Sequence, residues 1–308
     1  MSATPQQDGS AAAAVASLMS MADQEAELED LLPYLKHGTG GVRRAALSVI
    51  LEVHPEAAAE AILVGLEDPD PAVREAALAA AEELRQFLRK EAALAKAMMK
   101  LAIDDTEPAM RAKAVRVCRL QQWETASWFS QRLQDSAEAV KKEAVAGLVS
   151  LDAGEELREA ARDSSPRVRR AVAERIARLG AEQVGKLAWE MLDDPDPLVV
   201  AKAAETIAGL ALQLGTAQQA KLLDLGSSGS WEIRKGVATA LKSVTTDAAM
   251  ALLCDLCSDA NADVRKEAVR SLGAGVNRPE VARVLQEALV DADADVRAYA
   301  RMALAAPQ

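Results

Sequence analysis

Apolar residues recur four positions apart in short runs along most of the chain, and a polar cluster interrupts them about every 32 residues. A spacing of four keeps side chains on one face of a helix. With the first apolar residue after each interruption as position 0, the nine anchors are Val42, Val73, Met110, Val140, Val168, Val199, Ile233, Val264 and Val296, separated by 28 to 37 residues. Positions 4 and 8 are apolar almost throughout, as in Ala46/Ile50, Val172/Ile176 and Ala268/Leu272. Proline stands two residues before the anchor at Pro71, Pro108, Pro166 and Pro197, where a first-turn helical residue does without its N–H. Position −11 is apolar in all nine copies: Leu31, Ile62, Met99, Phe129, Leu157, Ala188, Leu222, Leu253 and Leu285. The pattern predicts nine helical hairpins, each with a first helix ending before the polar cluster and a second beginning just after it. Repeats of this length stack into an all-α superhelix.

The polar cluster is itself patterned. Asp stands at −5 in seven of the nine copies, Asp68, Asp105, Asp135, Asp163, Asp194, Asp259 and Asp291, ahead of a helix whose first N–H groups need acceptors. Position 1 is basic in eight of nine: Arg43, Arg74, Arg111, Lys141, Arg169, Arg234, Arg265 and Arg297, with Val200 the exception. A catalytic residue is needed once or twice, so an Asp/Arg pair in nearly every copy reads as a ladder holding repeats together, by pairing within or between them. No nucleophile and base stand out, and the expectation is a protein that is not an enzyme.

This pattern of D-x-D-x-x-V-R-x-x-A-x-x-A/L, seen in 68-DPDPAVREAALAA-80 and 291-DADADVRAYARMA-303, resembles the HEAT-like repeats of the phycobilisome-lyase type, over roughly residues 23 to 305. The resemblance implies an α-solenoid with first helices outside and second helices lining a concave face suited to a protein partner or an extended segment. The same repeat occurs in bilin lyase subunits, scaffolds, adaptors and regulators, so a lyase-like or cofactor-attachment role stays open. HEAT-like DNA glycosylases share only the helical-repeat architecture. HEAT-type metal hydroxylases are built around His-Glu pairs, and here neither His37 nor His54 precedes a Glu.

Composition narrows the classes. Half of the 308 residues are hydrophobic while aromatics are 3%, which suits closely packed helices. A net charge of −11 opposes nonspecific attraction to nucleic acid or an anionic membrane. Three cysteines, Cys118, Cys254 and Cys257, fit a reducing compartment better than a disulfide framework, and the cytoplasm is expected. No apolar run reaches membrane-spanning length. The pair 254-CDLC-257 lacks further ligands nearby, and no metal or cofactor is expected. Residues 1 to 22 read as a mostly disordered tail, with room for a frayed helix over the alanines, and 23 to 308 as one solenoid.

Function is expected where the repeats break their own rule. Position 2 carries Arg44, Lys142, Arg170, Lys235 and Lys266 against one Glu75 and the alanines Ala112, Ala201 and Ala298. This is either a basic stripe for an acidic segment of a partner or a solvated face diluted by neighbouring Glu143, Glu174, Glu205 and Glu267. Trp123 and Trp128 are either gap fillers or an aromatic anchor for a partner. Trp231 stands in 226-GSSGSWEIRK-235, a turn without the usual Asp, and 209-GLALQLGTAQQA-220 lengthens the spacing ahead of it. The reading is a nonenzymatic scaffold for a protein partner, of undetermined oligomeric state.

Overall fold

The computed structural model describes residues 5–84, 88, 91–179, 181–208 and 215–305. Residues 1–4 of the tail and 209–214 of the lengthened spacing lie outside the described residues. Among the described residues there are α-helices and short 3-10 turns but no strands. The helices fall into two compact units, residues 1–151 and 152–308, described separately.

The first unit holds α1 (Pro5–Asp23), α2 (Leu28–Leu31), α3 (Gly40–Val53), α4 (Ala58–Leu66), α5 (Pro71–Glu83), α6 (Ala92–Asp104), α7 (Pro108–Gln121), α8 (Ala126–Arg132) and α9 (Glu138–Ser150). The second holds α10 (Gly154–Ala160), α11 (Pro166–Arg175), α12 (Ala181–Met191), α13 (Pro197–Ala208), α14 (Thr216–Leu225), α15 (Trp231–Ala240), α16 (Asp247–Leu256), α17 (Ala262–Leu272), α18 (Pro279–Glu287) and α19 (Ala294–Ala305). In each unit the second helices of successive hairpins pack side by side: α3, α5, α7 and α9 in the first, α11, α13, α15, α17 and α19 in the second.

The anchor pattern explains this layering. All nine anchors are buried, and the nine position-4 residues from Ala46 to Ala300 are wholly so. Alanine or valine there lets neighbouring helices approach closely. The four prolines are the first residues of their helices.

Two expectations change. The segment expected to be a mostly disordered tail forms α1, which packs on α3. Its alanine run has the strongest intrinsic helix preference, and Leu18 supplies the tertiary hold by complete burial. Behind α1, the His54 ring bonds the Ala26 carbonyl through Nε2 (2.8 Å) and the Glu56 carboxylate through Nδ1 (3.0 Å).

The other change is in α6, where Met98 rather than Met99 is buried and Ile103, at −7, is 51% exposed. In the other Asp-bearing turns the Asp N–H bonds a carbonyl three residues back, as Asp68 to Gly65 and Asp259 to Leu256. Asp105 instead bonds Leu101, four back. α6 keeps α-helical winding to its end where the others tighten, so its buried stripe is displaced by one residue.

Asp and Arg at the turns pair between successive repeats. Arg43 donates Nε and Nη2 to the two carboxylate oxygens of Asp68 at 2.6 and 2.7 Å. The same two-pronged contact joins Arg74 to Asp105 and Arg111 to Asp135 in the first unit. In the second unit it joins Arg169 to Asp194, Arg234 to Asp259 and Arg265 to Asp291. Each of these arginines also donates Nη1 to the position −5 carbonyl of its own turn, as Arg111 does to Asp105 at 2.8 Å; Arg297 makes this bond to Asp291. The Asp at −5 does not cap the helix directly. It accepts the N–H at −3, as Asp68 does from Asp70 and Asp163 from Ser165. Residue −3 does the capping in several repeats: Asp70 accepts from Ala72, Ser165 from Arg167 and Asn261 from Asp263.

Candidate partner-binding groove

The pairing rule merges two sequence departures into one. The arginine of each repeat reaches the Asp of the next, so the partner of position 200 would be position 228. These are Val200 and Ser228. Both halves of one rung are absent together, at the join of α13 and α15. Ser228 keeps the turn function, its Oγ accepting the Ser230 N–H at 3.2 Å, but cannot bridge to the previous repeat.

Close packing replaces the ion pair there. Val200 and Ala201 are buried, and Gly236 of α15 lies so near α13 that a Cβ on it would sit 2.6 Å from the Ala201 carbonyl oxygen. On the other side of α13, the buried Thr206 hydroxyl donates to the Ala173 carbonyl of α11 at 2.8 Å. Two neighbours thus clasp α13 through its small residues.

Above this join α11, α13 and α15 enclose a groove of about 280 Å3. Its floor is Ala201, the position-2 residue of its repeat, and the position-2 cations Arg170 and Lys235 stand on either side. An alanine between two long basic side chains leaves the hollow. Leu198 and Trp231, 42% and 37% exposed, line the end nearest the helix starts. Glu174 and Glu205 line the other end, with Lys202 and Glu232 completing the wall.

The charges are paired but loosely held. Arg170 Nε lies 3.3 Å from Glu174, Lys202 Nζ 2.7 Å from Glu205, and Lys235 Nζ 4.0 Å from Glu205. Glu232 accepts from the Ser230 hydroxyl at 2.6 Å. Exposed pairs of this kind contribute only about 0–1 kcal/mol each, so an incoming charged group displaces them at little cost.

The remaining expected site residues lie elsewhere. Lys266 bridges Asp263 at 3.1 Å and Asp295 at 3.3 Å, which raises its pKa through those two hydrogen bonds. In this unit every position-2 cation therefore has a carboxylate partner. Arg44 and Lys142, in the first unit, are exposed. Trp123 and Trp128 are half-buried. The Trp128 ring meets Phe129 edge-on, centroids 5.1 Å apart, and the Arg132 guanidinium lies 5.1 Å above it, so its aromatic surface is engaged within the protein. Phe129 is buried over Gly147 of α9, where a Cβ would collide with the ring. Cys254 is half-buried, while Cys118 and Cys257 are buried. Burial pushes both buried thiols up, that of Cys257 to about 12.

A larger hollow of about 610 Å3 lies along the turns beside the Arg169–Asp194 rung. Its apolar lining residues Leu187 and Met191 are buried, and its Asp193 is engaged by Lys221 at 2.6 Å. Of these two hollows, the smaller combines exposed large apolar side chains with exchangeable charges. Of its walls, the sequence pattern singled out Arg170, Lys235 and Trp231. It missed Leu198 and Lys202, although the alanine at position 2 between two cations was a usable signal.

No helix among the described residues is long and apolar enough to cross a membrane. No curated protein matches the sequence. Among solved structures, the chain is similar to importin beta (TM-score 0.63, 13% identity, covering 94% of this chain and 47% of that one). It is also similar to a chain of a Kap95:Nup1 complex (TM-score 0.64, 13% identity, 93% and 47%). It spans about half the length of either, and at that identity the likeness concerns the fold. The sequence pattern of HEAT repeats matches residues 28–117, 126–208 and 219–305, and the chain belongs to the HEAT-repeat family.

Proposed function

We propose that the chain is a nonenzymatic protein-binding scaffold and that its partner docks in the groove of α11, α13 and α15. The observation that carries this reading is the convergence of Trp231 and Leu198, both large, apolar and exposed, on one charged groove. Tryptophan is among the residues enriched at binding hot spots, which sit in pockets that a partner fills. The rung arginines and aspartates support a nonenzymatic role, because they are committed to one another. The Kap95:Nup1 structure is a complex, which makes protein binding a use this fold allows. The three free cysteines support a cytoplasmic setting.

The test is a pull-down comparing wild type with a Trp231→Ala/Leu198→Ala variant and with an Arg44→Glu/Lys142→Glu variant, each checked by circular dichroism. The reading expects capture of the partner to fall at least about ten-fold in the first variant, as loss of a hot spot implies, and to persist in the second. Undiminished capture by the first variant overturns it. Loss only in the second would move the site to the basic residues of the first unit.

A further inference from the structure

The groove has a direction. Along α13, Leu198, Ala201 and Glu205 succeed one another at steps of three and four residues, which at the helical rise spans about 10 Å. Each step has a different chemistry. By repeat position, Leu198 (−1) falls beside Trp231 (−2) of α15, Ala201 (2) is level with the cations Arg170 and Lys235 (2), and Glu205 (6) is level with Glu174 (6) of α11, and all of them line the hollow. Apolar, basic and acidic rows thus follow in order along the hollow. Lys202 moderates the third row through its contact with Glu205, and Glu232 adds a carboxylate beside the first.

We infer that the groove takes an extended segment of a partner protein carrying an apolar side chain, then a carboxylate, then a cation, in that order along about four residues. This inference rests on the proposed docking site and adds the partner's chemistry to it. An extended chain advances about 3.3 Å per residue, so three steps cover the 10 Å between the outer rows. The apolar residue packs on Leu198 and Trp231. The carboxylate takes Arg170 and Lys235 from Glu174 and Glu205, and the cation then competes for these two glutamates with Arg175 and Lys202, which lie 3.7 and 2.7 Å from them. A purely acidic segment would satisfy the second row and be repelled by the third. Order, rather than net charge, is the specificity.

Two fluorescent peptides of identical composition test this, both flanked by glycine and serine. One carries leucine, aspartate, serine and lysine in that order; the other exchanges the aspartate and the lysine. Fluorescence anisotropy with the full chain should show the first binding at least about ten-fold more tightly, a modest value for two displaced charge contacts. A row-exchanged protein, Arg170→Glu, Glu174→Arg, Lys235→Glu and Glu205→Lys, with Lys202→Ala so that no lysine stands against position 205, keeps the opposite-sign contacts of 170 with 174 and of 235 with 205, and it should invert the preference. Equal binding of the two peptides, abolished by Trp231→Ala, overturns the ordering while the docking site stands. Binding of neither peptide overturns the ordered segment as well. In that case, partner capture unaffected by Trp231→Ala would show that the docking site itself is wrong.

Discussion

Asp259 holds two structural jobs at once. Its carboxylate receives Nε and Nη2 of Arg234 from the preceding repeat at 2.6 and 2.9 Å, and one of its oxygens also accepts the Asn261 N–H of its own turn at 2.8 Å. Asp259→Ala removes both contacts and leaves a largely shielded guanidinium without its counter-charge. It is expected to cost about 2–3 kcal/mol in urea unfolding. Arg234→Lys keeps the charge but loses the fork, and should cost about 1–2 kcal/mol. Equal losses for the two variants would contradict the two-job account. The Arg234 bonds hold the Asp259 carboxyl below the ordinary range against the opposing effect of burial. Asp291 is lowered in the same way by Arg265. In Asp68 and Asp135 burial pushes the pKa upward most strongly, but the paired arginines and turn N–H groups together outweigh it. A carboxyl with a depressed folded value contributes stability that is complete above its unfolded value, near about 4, and is lost as pH falls through the folded one. The urea midpoint should therefore drop steeply below about pH 4; a midpoint that rises between pH 5 and 3 would contradict the ladder. At this scale the sequence was highly legible. Asp at −5 and Arg at 1 were visible as a pair, but their partners were not, because spacing alone left pairing within a repeat and pairing to the next one open.

At the scale of helices, the join of α13 and α15 is where packing takes over from charge. Gly236 has no room for a side chain beside the Ala201 carbonyl. Gly236→Ala should push the two helices apart and cost about 1–3 kcal/mol, read from the urea midpoint; no change would show that the join is looser than described. Helix positions were legible from the anchors, because burial at positions 0 and 4 leaves little freedom of register. Two helices were not. In α6 the winding at the last turn, which apolar spacing does not encode, decides that Met98 faces inward and Ile103 outward. In α1 the decision between coil and helix rests on tertiary packing against α3, with Leu18 wholly buried, while local composition was ambiguous. The missing rung was half legible: Val200 and the Asp-free turn at Ser228 each looked irregular, and only the partner rule made them one event.

For the molecule as a whole, the recurring Asp, Arg and small apolar residues are consumed in building the array, and individuality is left to the positions where the repeat departs from itself. Trp231 was a visible departure; that it meets Leu198 and Ala201 over one groove depends on α11, α13 and α15 lying side by side, which no single repeat states. The central claim is that a partner sits in this groove, and crosslinking from inside it is the most direct measurement. A photoreactive residue would replace Leu198 in one sample and Arg44 in another, with irradiation in the native lysate followed by mass spectrometry of the adducts. The account predicts one dominant partner adduct from position 198, suppressed by Trp231→Ala, and none of that species from position 44. The same adduct from position 44 alone, or a position 198 adduct indifferent to Trp231→Ala, would contradict it.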